Sequence, residues 1–438
     1  MNSVFLSSCR SFLNFGLTIG ALCVASAAGC GQQEAEPSAE LHQALITIDS
    51  AKELFITDRS VVDDPVRTTW VEGAADNAKE GAWTFGRLMK NMAGSQDLSA
   101  FTIAWLKKWE SAQNVNGFIA PARPNIRALV IAPWLLASGC LPIDDSCKLN
   151  FARAPFRLQS INSRIDLRRT AGTTVLDAGE GRFIFNVLDS LGNPQIFNVI
   201  FEYQLPASDS AAVLAWAKRW HALGKLSFGS EYNDALQGVT ELFAGKNAAP
   251  ERPSGSALNQ LRTNEVALAN LASDLSNLPT TQLWELREFN ITTGGLVQTT
   301  VKQNPDLSFN NSAALATFLS ANAEAVKARQ HTVPASMLGA SALNPANLLW
   351  NAPGVPADVR KGFAIETCSG CHKNETGTAN FQHVTGRRAG AGRAGADLLG
   401  GGAQAGASAL PALDAAAGPA AGEGLAAALL PARLGRAW

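Results

Sequence analysis

The sequence predicts an α+β protein with an antiparallel or mixed sheet built from hairpins and covered by helices. A short helical C-x-x-C-H module and a low-complexity tail follow it. Two observations carry this. Residues 180–205 and 284–302 each alternate apolar and polar side chains around a turn sequence, which is the pattern of a β-hairpin. Strand-like and helix-like stretches also come in blocks, without the β-α-β rhythm of a parallel sheet. With 46% hydrophobic and 17% charged residues, the 438-residue chain can fill a sizeable core. A net charge of −1 offers no basic footprint, so no nucleic-acid partner is expected. The ten Trp residues read first as core and rim packing.

The opening residues read as a targeting segment, not as fold. Arg10 supplies a positive charge, Phe12 to Val24 an apolar run, and Ala25 to Gly29 small residues. That combination is a secretory signal, too short to span a bilayer as a mature helix. Ala27-Ala28-Gly29-Cys30 resembles a bacterial lipobox, although Ala27 stands where Leu or Val is usual. The resemblance implies lipidation of Cys30 and a membrane held through a lipid anchor. Gly31, in place of an inner-membrane Asp, points to the outer membrane, facing the periplasm or the cell surface. Ordinary cleavage to a soluble periplasmic product is the alternative. The organisation expected is a signal peptide over 1–29, a tether over 30–45, an α+β domain over 46–345, a C-x-x-C-H module over 346–387 and a tail over 388–438.

Taken in order, Lys52 to Asp58 reads as a first strand, and Trp83–Met92 and Leu98–Glu110 as helices. Asn114 to Pro124 reads as loop, with Gly117, Pro121 and Pro124 as breakers. Leu129 to Ala137 is a buried apolar run. It leads to Cys140 and Cys147, which in an oxidising compartment are expected to close a disulfide. Phe156 to Arg168 alternates as a strand. Phe183, Phe185 and Val187, then Phe197, Val199, Phe201 and Tyr203, alternate on either side of Leu191-Gly192-Asn193-Pro194. Ser208 or Asp209 can cap a helix over Ala211–Leu226. Asn233–Phe243 and Leu258–Leu271 read as further helices. Trp284–Phe289 and Leu296–Lys302 pair across Thr293-Gly294-Gly295. Ser312–Arg329 reads as one helix, a Pro-marked connection follows, and Ala357–Thr367 is a helix running into the cysteines. From Arg388 onward, nineteen of 51 residues are Ala. Such a tail resembles a GC-rich gene read in a shifted frame; a genuine Ala-rich tail is the alternative.

Chemistry concentrates at Thr367-Cys368-Ser369-Gly370-Cys371-His372. C-x-x-C-H is a c-type haem attachment pattern. With seven Cys and five His in the chain, chance would give it on the order of once in a thousand such sequences. Export strengthens the reading, because c-type haem is attached outside the cytoplasm. With the preceding Gly362 and Phe363, about 20 residues resemble the opening of class I c-type cytochromes. The resemblance implies haem c, with Cys368 and Cys371 as the thioether positions, His372 as proximal iron ligand, one-electron transfer and a redox partner protein. That family continues to a distal Met, and no Met follows Met337 here. His383 is then the downstream candidate for the second ligand, with an open or solvent-occupied distal position as the alternative. His331 and Met337 would require the chain to fold back.

Alternatives remain open at this point. Cys368, Cys371, His372 and His383 could hold zinc. Cys368 and Cys371 could instead form a structural disulfide in a binding or scaffold lipoprotein of the cell envelope. A hydrolase-like site could draw on Asp166, Glu180 or Glu202, within a charged set that also includes Arg164, Arg168 and Arg182. Such sets are more often structural ion pairs. His221, beside Trp220, reads as a helix residue and not as a catalyst. No G-x-S-x-G, H-E-x-x-H, Walker or G-x-G-x-x-G motif marks an enzyme.

Overall fold

Strands buried on both faces set the architecture, and every ladder among them is antiparallel. The computed structural model describes residues 48–268, 284–344 and 349–371. The strands are β1 (Phe55–Ile56), β2 (Gln113–Val115), β3 (Phe118–Ala120), β4 (Phe156–Arg164), β5 (Thr170–Ala171) and β6 (Thr174–Val175), followed by β7 (Glu180–Leu188), β8 (Pro194–Gln204), β9 (Leu258–Glu265), β10 (Trp284–Thr292), β11 (Gly295–Thr299) and β12 (Ala342–Asn344). The main sheet runs β1-β4-β7-β8-β9-β10-β11, and β12 joins β10 as well. Glu285 pairs with both Leu343 and Glu265, and Glu288 with both Thr299 and Arg262, so β11 and β12 share one edge of β10. The α+β class read from the sequence is therefore the class of the fold.

Alternation sorts the side chains onto two unlike faces. One face carries Phe183, Phe185 and Val187 of β7, Phe197, Val199, Phe201 and Tyr203 of β8, Leu261 of β9 and Phe289 of β10, all in one core. The helices Phe85–Ala93, Leu98–Leu106, Ala132–Ala137, Ser210–Gly224 and Ser230–Ala244 cover it. Phe85 stacks on Phe156 at 3.8 Å between centroids, and Trp109 lies 5.1 Å from Phe289. Helix starts follow their caps. Thr84 accepts from Arg87 N, Asp97 from Ala100 N and Asp209 from Ala212 N. His221 Nδ1 meets Glu53 Oε2 at 2.8 Å and ties the Ser210–Gly224 helix to the Ser50–Glu53 turn.

The other face is polar over much of its area and is buried too, beneath a layer formed by the described residues of 301–371. That layer has its own core of Leu315, Leu319, Val326, Val333, Met337, Trp350, Val359 and Phe363. Its members stand on both sides of position 345, so the stretch leading into the cysteines shares a core with the stretch before it. A smaller cluster joins layer to sheet: Ile184, Ile200 and Leu286 from the strands, with Val301, Ala342, Cys368 and Cys371 from the layer.

Several local expectations need correction. Leu258–Glu265 is a strand, not the start of a helix. Leu258 and Leu261 mimic helical spacing, but the strand is buried on both faces and its intervening Gln260 and Arg262 are buried as well. Asn114–Pro124 is not all loop: β2 and β3 form a hairpin around Asn116 and Gly117, both at positive φ, 59° and 81°. An Asn-Gly pair suits this turn because Gly lacks the Cβ that penalises such dihedrals. β4 stops at Arg164 and Ile165–Leu167 is a 3₁₀ turn, so Arg164, Asp166 and Arg168 do not share a strand face. Lys52–Asp58 holds only a two-residue strand after a helical turn. The helix expected over Ser312–Arg329 divides at Asn322 into Ala313–Ala321 and Ala323–Lys327.

One buried ionic cluster sits under the β2–β3 hairpin. Glu265 and Glu285 face each other across β9 and β10. Arg123 Nε lies 3.1 Å from Glu285 Oε2 and 3.5 Å from Glu265 Oε1, and Arg287 adds a contact of 3.0 Å to Glu285. Burial outweighs Arg123 and, with the charge of Glu285, pushes the Glu265 carboxyl from its usual 4.5 up to about 7. The folded state then binds more protons than the unfolded chain between those values. The stability from this group is complete below pH 4.5 and is lost as pH rises through 7. The full change is on the order of 3 kcal/mol. Glu265→Gln should flatten the decline of the thermal midpoint between about pH 5 and about pH 8. Parallel pH profiles for the two proteins would contradict the assignment.

Candidate functional site

The cysteine turn is the end of a helix that has nowhere else to go. Helix Ala357–Glu366 stops at Thr367, whose backbone is extended, and Cys368–Cys371 begins a fresh helical turn. Thr367 Oγ1 donates to Ala364 O at 2.8 Å and accepts from Gly370 N at 3.0 Å. A Cβ on Gly370 would come within 2.2 Å of Ala364 O, so this tight reversal requires glycine. Cys368 and Cys371, three positions apart, share one side of the turn.

A relay fixes the turn from outside the motif. Trp350 Nε1 donates to Ser369 Oγ at 3.0 Å. Ser369 Oγ in turn donates to Asn304 Oδ1 at 2.9 Å, and the same oxygen accepts from Ser369 N at 3.0 Å. All three residues are buried. Trp350 also packs edge-on against Phe363, 5.5 Å between centroids. Nothing local in the sequence couples Asn304 to Ser369.

Neither cysteine is in a disulfide, and each is 4% exposed. They complete the apolar cluster of Ile184, Ile200 and Leu286. Burial pushes the Cys368 thiol up to about 12, with Arg262 pulling the other way. It is therefore protonated and unreactive at neutral pH.

Beside this cluster the sheet carries a ladder of alternating charge. Arg182 bonds Glu180 at 2.6 Å and Glu202 at 3.1 Å. Arg262 stands between Glu202 at 3.4 Å and Glu288 at 3.0 Å. Gln260 donates to both Glu180 and Glu202, and Lys302 donates to Gln260. Burial opposes ionisation of Glu180, but Arg182, Lys302 and Arg262 overcome it and hold the carboxyl at about 2. Glu202 is deeper, and burial raises it despite Arg182 and Arg262. Of the charged set read from the sequence, the structure brings together Glu180, Arg182 and Glu202. It leaves Asp166 out, paired with Arg164 at 2.8 Å and two strands from Glu202. Sequence reasoning missed Arg262 and Glu288, because they lay in stretches read for their apolar spacing.

The other sequence-derived residues divide simply. Cys140 and Cys147 are joined, with Cα atoms 6.0 Å apart. Cys30, His372 and His383 lie outside the described residues. Among the described residues, no three His, Cys, Asp or Glu side chains converge to hold a metal ion, and no helix is long and apolar enough to cross a membrane. The donor set at the turn does fit covalent haem: two thiols on one side of a single helical turn can each take one vinyl group of the same macrocycle. No protein-family model matches the chain, and no curated protein or solved structure matches it.

Removing the Asn304 acceptor would strand a buried N–H and hydroxyl, each worth about 1–3 kcal/mol. Asn304→Ala in the haem-free chain should lower stability by about 2–4 kcal/mol. It should also speed native-state alkylation of Cys368 and Cys371. Unchanged stability and unchanged thiol protection would show that the relay does not hold the turn.

Proposed function

We propose that this chain is an exported, lipid-anchored protein that carries one c-type haem on Cys368 and Cys371 and passes single electrons to a redox partner protein. Lipidation at Cys30 would hold it in the outer membrane, facing the periplasm or the cell surface. The observation that supports this best is the pair of cysteines on one helical turn, within a C-x-x-C-H sequence and clamped by the buried Asn304 and Trp350. His372 is the proximal ligand that the motif implies.

Bound haem would supply a reversible one-electron change at iron. The chain's own residues would do the rest. Asn304, Trp350 and Thr367 fix the turn and so limit movement of the attachment points. Ile184, Ile200 and Leu286 keep water from the sulfurs. The neighbouring Glu202–Arg262–Glu288 run places fixed charges beside them. Such surroundings tune a redox potential through burial and field. Because each thiol is 4% exposed, attachment has to precede closure of the 301–371 layer over the sheet. That order suits a chain modified during export.

The competing reading is a scaffold lipoprotein whose two cysteines only fill the joint between layer and sheet. Burial and the raised Cys368 pKa favour it. A zinc site would need His372 and His383 to complete it.

Expression of the full chain with c-type maturation machinery separates these readings. After denaturation, a Soret band should stay with the polypeptide, and Cys368→Ser with Cys371→Ser should abolish it. A natural chain without covalent haem would leave the scaffold reading in its place.

A further inference from the structure

The loop between the helical turn Pro65–Thr68 and helix Phe85–Ala93 closes on itself. Gly81 N donates to Val66 O at 2.9 Å and Trp83 N to Arg67 O at 2.9 Å, so its two ends meet. Compact loops of this kind, with joined ends, frequently carry function. The loop is tied to the helix along its length as well. Arg87 donates to Asp76 O at 2.6 Å and to Glu80 O at 3.2 Å. Asp76 is held by Lys246 at 2.6 Å and Lys90 at 3.0 Å, and these two lysines keep its carboxyl below the usual range.

Between loop and helix lies a cleft of about 260 Å³. Trp70 lines it, and two contacts fix the indole. A Cβ on Gly86 would come within 2.7 Å of the ring, so the helix lets Trp70 settle onto it only at a glycine. Trp70 Nε1 also donates to Glu72 Oε2 at 2.9 Å. Val71, Ala93 and Leu98 add apolar surface to the lining, and Glu72, Lys90 and Gln96 add polar groups. Glu72 and Gln96 are exposed and Trp70 and Lys90 half-buried, so the site is open to a ligand from solvent.

This lining narrows the ligand. Its volume lies below the ~300–1,000 Å³ of sites for drug-sized molecules, so it suits one small ring and not a long chain. An anion is poorly served: both terminal nitrogens of Arg87 donate to loop carbonyls, Lys90 is shared with Asp76, and the Glu72 carboxylate lines the same space. A wholly apolar guest would take water from Glu72, Lys90 and Gln96 and return no hydrogen bond. A pyranose offers both surfaces, C–H groups over the ring and hydroxyls around its edge. The C–H groups match an indole, and the hydroxyls can donate to Glu72 and accept from Lys90 or Gln96. We propose that this cleft binds one sugar ring of a glycan, with Trp70 as the apolar platform and Glu72 as the hydrogen-bond acceptor. The proposal is independent of the haem reading.

The test uses the full chain with glucose, galactose and N-acetylglucosamine, and with alanine as an amino-acid control. In saturation-transfer NMR the ring protons of at least one sugar should receive magnetisation, with an affinity of about 1 mM, as suits a ligand of about twelve heavy atoms. Trp70→Ala should weaken binding about tenfold. Glu72→Ala should weaken it about fivefold. Ala74→Trp, which fills the cleft from the loop side, should abolish it. Far-UV circular dichroism checks that each variant folds, and Ala74→Trp decides the matter if Trp70→Ala does not. Soluble fragments of peptidoglycan, of lipopolysaccharide freed of its lipid and of a neutral polysaccharide, added as competitors, distinguish the sources of the ring. At least one should displace the bound sugar. No transfer to any of the three sugars would overturn the proposal. So would undiminished binding in Ala74→Trp, displacement by none of the glycan fragments, or Trp70-dependent binding of alanine in place of sugar.

Discussion

Arg262 is the residue on which the two halves of the structure lean. It stands almost fully buried between Glu202 and Glu288, on the sheet face opposite the aromatic core. A guanidinium there without both carboxylates would cost several kcal/mol, and an uncovered ladder would be weakened by water. The 301–371 layer supplies the cover. It brings Lys302 to Gln260, and it lays Cys368 and Cys371 on Ile184, Ile200 and Leu286. The position of the cysteine turn is thus a consequence of how the polar face is closed. The motif is seated on a charge-balanced floor and is not hung from a flexible end of the chain.

That arrangement separates what positions the motif from what composes it. Thr367, Gly370 and the two thiols arise within six consecutive residues. Asn304 and Trp350 lie outside those residues and meet the turn across the packed layer. Support of this kind holds the two cysteine side chains in one fixed geometry. Burial keeps the Cys368 thiol protonated and away from water, which protects it from stray oxidation.

The legible parts of the sequence were those in which one local rule acted alone. The β7–β8 and β10–β11 hairpins carry uninterrupted alternation around clear turn residues, and both pair as expected. Asp209 caps its helix as a side-chain acceptor should. β9 was not legible, because a strand with an apolar face and a buried ionic face loses the polar-out signal that marks a strand. Leu258 and Leu261 then imitate a helix. Asn116-Gly117 carried a hairpin signal that the surrounding prolines masked. The chemical motif could be read from spacing alone. Its supports could not, because topology alone chooses which of many buried polar side chains meet across the fold.

The most direct measurement of the central claim is the mass of one peptide. Cleavage after Lys361 and Lys373 releases Gly362 to Lys373, which contains Cys368, Cys371 and His372. From chain matured in the cell envelope, this peptide should carry the added mass of one haem, with neither cysteine open to alkylation. The same peptide at its bare mass, with both cysteines alkylated after denaturation, would contradict the account.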